Sequence, residues 1–403
     1  MEGIVIPKML TGDELIAALT YLPPYDDSIR EKDTATRLNA LSCLFDLYIP
    51  SQMSVEIYSK LYLSLIRSIS KKRTKTAIQQ NYITYNNPGN GIIGGSDSYT
   101  IIGCSGIGKS SAINRAISLI GDKVIETTEP YSKLIPFLNV QCPFDASVKG
   151  LLLEILRKVD DIIGTTYYVH ALRSRTATTD MLINAVCHIG LQHIGVLIVD
   201  ECQNVVNSKN GKNLVGMLTQ LINSSGISIC LVGTPECTVF FEQAFQLARR
   251  SVGLCYNAFD LDDYFCRFCA TVFSYQYVRE KTEISPQIIE WLYEHSGNGN
   301  VSIIVSLIYN AMEIAILTGS EILNIESLMK AYTERIAMLH KYIHPKRRIV
   351  NIKAAETEKT PNILYSEISR KETILSIVAD AKASGKDVIQ SLKTVFTVEE
   401  VSI

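Results

Sequence analysis

Gly103-Cys104-Ser105-Gly106-Ile107-Gly108-Lys109-Ser110 is a complete G-x-x-x-x-G-K-S loop. An apolar, strand-like run at residues 99–102 precedes it, and a helix-like run at 111–120 follows. Phosphates need backbone N–H groups presented in a ring, and glycines let the chain curl tightly enough to present them. The following helix turns its positive N-terminal end toward the same anion. Gly103, Ser105, Gly106, Ile107, Gly108, Lys109, Ser110 and Ser111 are therefore expected to hold ATP. Lys109 would reach the terminal phosphates, and the Ser110 hydroxyl would ligand Mg²⁺.

Working outward, Gly195-Val196-Leu197-Ile198-Val199-Asp200-Glu201 reads as a buried parallel strand that delivers two carboxylates at its C-terminal end. Open α/β sheets place ligands at that end. Asp200 would hold Mg²⁺ through water, and Glu201 would act as general base on the attacking water. A third strand, residues 227–232, ends at Gly233-Thr234-Pro235. The Thr234 hydroxyl would orient the lytic water or touch the γ-phosphate; a plain strand-ending turn suits the same residues. Arg249-Arg250 closes a helix-like run. A guanidinium supplied in trans stabilises a transferring phosphoryl group, but a helix C-terminus also favours two cations.

With 403 residues the chain is too long for one ordinary core, and two or three domains are expected. It is 47% hydrophobic and 20% charged, a soluble globular profile. A formal charge of −2 excludes a globally basic nucleic-acid binder but not a local basic stripe. No charged-then-apolar leader and no 18-residue uncharged apolar run is visible, so a cytoplasmic, or at least intracellular, protein without a membrane role is expected. The ten cysteines are scattered through apolar runs and read as small core residues. Cys266-Arg267-Phe268-Cys269 lacks the second pair that structural zinc requires.

The fold class expected is α/β: a P-loop domain with a parallel sheet flanked by helices, an all-helical lid and a helical N-terminal lead-in. Residues 1–75 form the lead-in. Thr11-Gly12-Asp13-Glu14 reads as a capping box, and Asp33 as the cap of a second helix. Residues 70–75 are basic, either a solvated linker or a contact to phosphate. Residues 76–260 form the nucleotide-binding core, entered by an Asn/Gly-rich loop at 86–95. Residues 261–345 form the lid, with helices expected from Pro286 to about 297, from Val301 to about 317 and from Ile325 to about 343. Residues 346–403 form a charged tail, disordered or ordered on a partner, with one helix expected near 371–394.

A parallel-sheet ATPase core, an arginine pair after the third motif and a helical lid resemble the AAA+ class. A narrower resemblance rests on Leu138-Asn139-Val140-Gln141-Cys142-Pro143-Phe144-Asp145-Ala146-Ser147-Val148-Lys149-Gly150-Leu151, followed by Val159-Asp160 and Gly164-Thr165-Thr166-Tyr167. This is similar to the "CP-D-S-KGL…D…GT-Y" block of TnsC, the AAA+ regulator of heteromeric bacterial transposons. The run from Gly195 to Val205 resembles its "G-LV-IDE-Q-L" block. TniB and, more distantly, MuB and IstB belong to the same group. The resemblance covers about residues 55–345. One departure stands out. Where many AAA+ lids carry a γ-phosphate-sensing arginine, this chain reads Gly297-Asn298-Gly299-Asn300-Val301-Ser302, and no lid sensor is carried over.

The resemblance implies a protein that assembles with ATP on double-stranded DNA as a ring or helical filament of its own copies. It would link a TniQ- or TnsD-type target selector to the transposase, with ATP hydrolysis driving disassembly. Arg249 or Arg250 would then complete the site of the adjacent subunit. Lys149, Thr165, Thr166, Arg173 and Arg175 are the candidate DNA contacts, since cations and hydroxyls aimed at phosphates carry no sequence information; ordinary exposed side chains would look the same. Two other functions stay open: an AAA+ ATPase that remodels a protein client, for which Tyr167-Tyr168 is the only aromatic pair of pore-loop type, and an oligomeric signalling switch, which usually carries a repeat array not visible here.

Overall fold

The computed structural model describes residues 6–72, 98–126, 133–173, 178–206, 208–225, 227–238 and 252–339. All of them lie in one compact unit, Met1–Pro345; the second unit is Lys346–Ile403. The tail, the 86–95 loop and residues 73–75 of the basic run fall outside the described residues.

Six strands form one sheet: β1 (Tyr99–Gly103), β2 (Ile125–Glu126), β3 (Lys133–Gln141), β4 (Ile194–Asp200), β5 (Ser228–Gly233) and β6 (Val252–Tyr256). Their order is β2-β3-β4-β5-β1-β6. All pairings are parallel except the short antiparallel β2–β3 edge. Strands β1 and β5 are buried along their whole length, and β4 along all but Asp200, which is why they read as unbroken apolar runs. Strand β5 is inserted between β1 and β4. The phosphate loop, which follows β1, and the acids, which follow β4, therefore flank the end of β5.

Among the described residues of the first 200, the helices are α1 (Gly12–Leu19), α2 (Thr34–Leu41), α3 (Gln52–Lys72), α4 (Lys109–Ile120), α5 (Val148–Ile163), α6 (Tyr167–Arg173) and α7 (Thr179–His193). Then come α8 (Gly211–Ser225), α9 (Asp263–Ser274), α10 (Pro286–His295), α11 (Val301–Thr318) and α12 (Ile325–Ala331). Alternate residues of the strands feed two cores. Val196 and Ile198 of β4 pack with α1, α3 and α4, through Leu19, Leu61, Leu65 and Ile113. Leu197 and Val199 pack with α5, α7 and α8, through Leu152, Ile155, Val186 and Leu218. Burying a side chain of this size stabilises by about 1.5–3 kcal/mol.

Helix α3 thus lies directly on the sheet. Its Ser68 Oγ donates to Gly195 O at 2.6 Å. A Cβ on Gly195 would come within 2.7 Å of Leu65 Cδ1 and 2.5 Å of Pro136 O, so glycine lets helix and strand touch. Lys72, read in the sequence as part of a solvated or phosphate-binding basic run, is buried instead. Its Nζ donates to Gly190 O and Leu191 O at the end of α7, and burial pulls the amine down to about 7. The expected Thr11 cap does not form: Gly12 adopts φ +57°, and no side chain caps α1. The Asp33 cap does form, on Thr36 N at 3.1 Å.

Helices α9 to α12 build a third core, which also takes in Leu41 and Leu44 from the N-terminal segment. Ser285 caps α10 with proline at its start. Gly319, at φ +76°, ends α11. Helix α11 is long and apolar enough to cross a membrane, but its apolar residues fill this core and its single carboxylate, Glu313, pairs with Arg335 at 3.5 Å. The third expected helix is α only to Ala331; a π turn at Tyr332–Ile336 and a 3₁₀ turn at Ala337–Leu339 follow.

Candidate functional site

The site lies at the C-terminal ends of β1, β5 and β4. Gly106 (φ +81°) and Gly108 (φ +93°) adopt the left-handed backbone that curls the loop around a phosphate-sized space. The Ile107 side chain is buried in the core beneath the loop and anchors it. Ser105, Ser110 and Ser111 are exposed. Gly103 packs so closely on Tyr256 O that an added Cβ would lie 2.8 Å from it. Lys109 Nζ donates to Gly103 O at 2.7 Å and Cys104 O at 2.8 Å. Burial draws the Lys109 ammonium below its ordinary value, against the attraction of Asp200 and Glu201.

Ser110 Oγ donates to Asp200 Oδ2 at 2.9 Å. The hydroxyl at the start of α4 and the carboxylate at the end of β4 thus meet at one point, the donor set of hard oxygens that Mg²⁺ takes. Among the described residues no further cluster of His, Cys, Asp and Glu could hold a metal. Glu201 adopts φ +59°, a left-handed conformation that costs a non-glycine residue about 1–3 kcal/mol. It turns the chain out of β4 and starts the 3₁₀ turn Cys202–Val205.

That turn brings in a residue not assigned from the sequence. Gln203 Nε2 donates to Glu201 Oε2, while Gln203 Oε1 is buried with no partner among the described residues. Thr234 Oγ1, at the end of β5, is also buried, with the weak Cys237 thiol beside it and no other partner among the described residues. Both residues line the same cavity, and both lie beside Gly233, where an added Cβ would come 3.3 Å from Gln203 Oε1. An amide oxygen that can only accept and a hydroxyl that can donate, both beside a carboxylate, suit a water molecule held for reaction.

The cavity has a volume of about 360 Å³. Besides the phosphate loop, Asp200, Glu201, Gln203 and Thr234, it is lined by two apolar walls. One comes from the N-terminal segment, including Phe45, Tyr48 and Ile49; the other from the lid, including Phe259, Tyr264 and Val305. The walls suit a nucleobase stacked between flat and branched apolar groups. Neither was read from the sequence as part of a site. Packing across more than 200 residues brings them together, as when Tyr264 Oη donates to Ile49 O at 3.1 Å.

The candidate DNA residues do not form one cluster. Lys149 is exposed in the first turn of α5, at the nucleotide edge of the sheet. Thr165 and Thr166 follow the other end of that helix, roughly 24 Å away by its rise per residue. Thr165 Oγ1 donates to Asp160 Oδ1 at 2.6 Å, which already uses its proton. Thr166 and Arg173 are exposed. Arg175, Arg249 and Arg250 lie outside the described residues. Tyr167 and Tyr168 are half-buried against the core, with their backbone N–H groups donated to Asp160.

Residues 93–240 match the family model described as an AAA domain. That segment holds the phosphate loop, the acidic strand and Thr234, so the chain carries an AAA-type P-loop ATPase domain, with helical regions on either side of it. Such a domain binds nucleotide, usually with Mg²⁺. No curated protein matches the chain significantly. Among solved structures, the Orc1 protein of Aeropyrum pernix in complex with DNA is 13% identical over 66% of this chain and 64% of its own, with a TM-score of 0.41. A Walker-type ATPase of Pyrococcus abyssi is 14% identical over 66% of this chain and 72% of its own, with a TM-score of 0.38. Both likenesses are distant, and neither bears on function.

Proposed function

We propose that this chain is an ATP-dependent regulator of DNA transposition of the TnsC type, which assembles on target duplex DNA and couples a TniQ- or TnsD-type selector to the transposase. The supporting observation is the block between Cys142 and Tyr167. Its TnsC-like residues belong to two hydrogen-bonded knots, which supports reading them as one block. Asp145 Oδ1 accepts from Ser147 N, and Ser147 Oγ accepts from Gly150 N to cap α5. Gly150 leaves room for Pro143 and Ser147, which an added Cβ would meet at 3.2–3.5 Å. At the other end Asp160 accepts from Thr165 Oγ1, Tyr167 N and Tyr168 N.

In this reading Lys109 exchanges its two loop carbonyls for the β- and γ-phosphates. Ser110 and Asp200 hold the cation, which when bound neutralises charge on those phosphates. Glu201 takes the proton of the attacking water, and the side-chain oxygens of Gln203 and Thr234 fix that water's orientation. Arg249 or Arg250 acts on the site of a neighbouring copy. Lys149, Thr165, Thr166, Arg173 and Arg175 are the candidate contacts to duplex phosphates. A gel shift of random duplex DNA with ATP, ADP and a non-hydrolysable analogue tests the reading. Binding should require ATP or the analogue, ignore sequence and fall steeply with salt. Replacing Lys149 or Arg173 by alanine should flatten the salt slope by about one unit if that residue contacts phosphate. Nucleotide-independent binding, or one preferred base sequence, would sink it.

A protein-remodelling role has one observation in its favour. Phe144 is 88% exposed at the tip of a loop pinned from behind by Asn204 on Cys142 O and by Ser208 and Asn210 on Asp145 O. Phe144→Ala should leave DNA assembly unchanged under the transposition reading. If it instead abolishes ATP-dependent capture of a protein client while no DNA is bound, remodelling is the better reading.

A further inference from the structure

The segment Gly297 to Ser302, where no sensing arginine stands, makes direct contact with the phosphate loop. Asn300 uses both ends of its amide. Its Oδ1 caps α11, accepting from Ser302 N at 3.2 Å and Ile303 N at 3.4 Å. Its Nδ2 donates to Ser105 O of the phosphate loop at 2.7 Å. Ser302 N is shared, since it also donates to Gly106 O at 3.1 Å. The fit is close: a Cβ on Gly106 would lie 2.5 Å from Asn300 Oδ1. One residue back, Gly299 accepts from Phe259 N at 3.2 Å through its carbonyl. A Cβ there would lie 2.0 Å from Phe259 O. Phe259 belongs to the apolar wall of the cavity. A continuous line of contacts therefore runs from the apolar wall through Gly299 and Asn300 to the phosphate loop.

We infer that Asn300 is a positioning residue that latches the lid to the phosphate loop, holding Ser105 and Gly106 in the nucleotide-ready shape and passing the loop's position to α11. A carboxamide suits the task because it carries a donor and an acceptor on one rigid plane. An arginine has donors only and could not cap the helix. Loop carbonyls turned outward to the lid also leave the loop's N–H groups free for phosphate, so the latch and nucleotide do not compete for the same groups.

The inference rests on the cavity being a nucleotide site, and the test separates the two claims. Full-length wild type, Lys109→Ala, Asn300→Ala and Asn300→Ser are compared for binding of a fluorescent ATP analogue. Melting temperature and hydrogen exchange in residues 300–308, with and without ATP, are measured alongside. Serine is a good helix cap but too short to reach Ser105 O. Asn300→Ser should therefore lose no more melting temperature than one hydrogen bond is worth, and less than Asn300→Ala, yet bind the analogue about 5- to 10-fold more weakly. It should also lose the ATP-dependent protection of the first turn of α11. Asn300→Ala should lose melting temperature as well. If Asn300→Ser matches wild type in affinity and protection while Lys109→Ala does not bind, Asn300 is only a cap and the latch is wrong. Wild type that binds no analogue overturns both the latch and the nucleotide site beneath it.

Discussion

Lys109 and Glu201 divide the expected chemistry between a point charge and a proton acceptor. Lys109→Ala removes the one cation lining the cavity among the described residues. ATP affinity should fall by about 10- to 100-fold or more, the range for a charged hydrogen-bond donor. Equilibrium titration with labelled ATP measures it. Glu201→Gln keeps size and loses basicity, so ATP binding should persist while turnover drops about 10²- to 10⁴-fold. Normal phosphate release by that variant would assign the base elsewhere. Lys72 supports a different prediction. Its amine sits near 7 when folded, while the unfolded chain has the ordinary lysine value. Between those values the unfolded state carries the extra proton, so stability rises with pH. Denaturant unfolding at pH 7 and pH 9 should show wild type gaining about 2 kcal/mol more than Lys72→Met, from roughly 1.4 kcal/mol per pH unit. Equal gains would mean that the Lys72 amine stays charged on its two carbonyls.

At the scale of elements, the α5–α6 junction depends on one carboxylate. Asp160 satisfies the first N–H groups of α6, a helix of only seven residues that could not hold itself together. Asp160→Ala should destabilise the protein by about 1–3 kcal/mol, the cost of unsatisfied buried donors, and expose the chain near Arg173 to protease. A melting curve and limited proteolysis would read this; unchanged cleavage would show that α6 is held by packing alone. The same scale explains what could be read in advance. The phosphate loop and the acidic strand are local: glycine spacing and apolar runs carry their own signal within eight residues. The Asp33 cap and the helix start at Pro286 were equally local. The Thr11 cap failed because the left-handed backbone of Gly12 redirects the chain, which no polar pattern reveals. The apolar walls, Gln203 and Asn300 were missed for another reason. Their side chains are ordinary in sequence, and only the meeting of distant elements gives them partners. Lys72 was misread because a cation beside other cations signals exposure unless an unseen helix end supplies carbonyls.

At the scale of the whole compact unit, the N-terminal segment joins sheet and lid. Arg37 is fully buried and makes a bidentate pair with Glu321, at 2.6 and 2.7 Å, and a third bond to Tyr277 O. Bonded to Arg37, the Glu321 carboxylate is held below its ordinary value. Its contribution is present above the ordinary carboxylate range and is lost as pH falls through the lowered value. Arg37→Ala leaves Glu321 to Arg279 alone, whose backbone N–H and guanidinium stand at 3.2 and 3.7 Å, and should cost about 3 kcal/mol, the low end for a broken buried pair. Double replacement of Arg37 and Glu321 by apolar residues should cost less than the single change, as unfolding curves would show. A double variant as weak as Arg37→Ala would mean that the loss comes from packing.

This arrangement also sets an order of assembly during synthesis. Ser68 and its partner Gly195 are 127 residues apart, and Arg37 and Glu321 are 284 apart. At about 5–20 residues per second, α3 waits roughly 6–25 s after leaving the ribosome for the strand it covers, and Arg37 waits longer for its carboxylate. Throughout that interval α3 can already pack on α4, which emerges earlier, but the face it turns to β4 stays uncovered, and a nascent chain stalled before β4 presents that face to whatever chaperone is nearby.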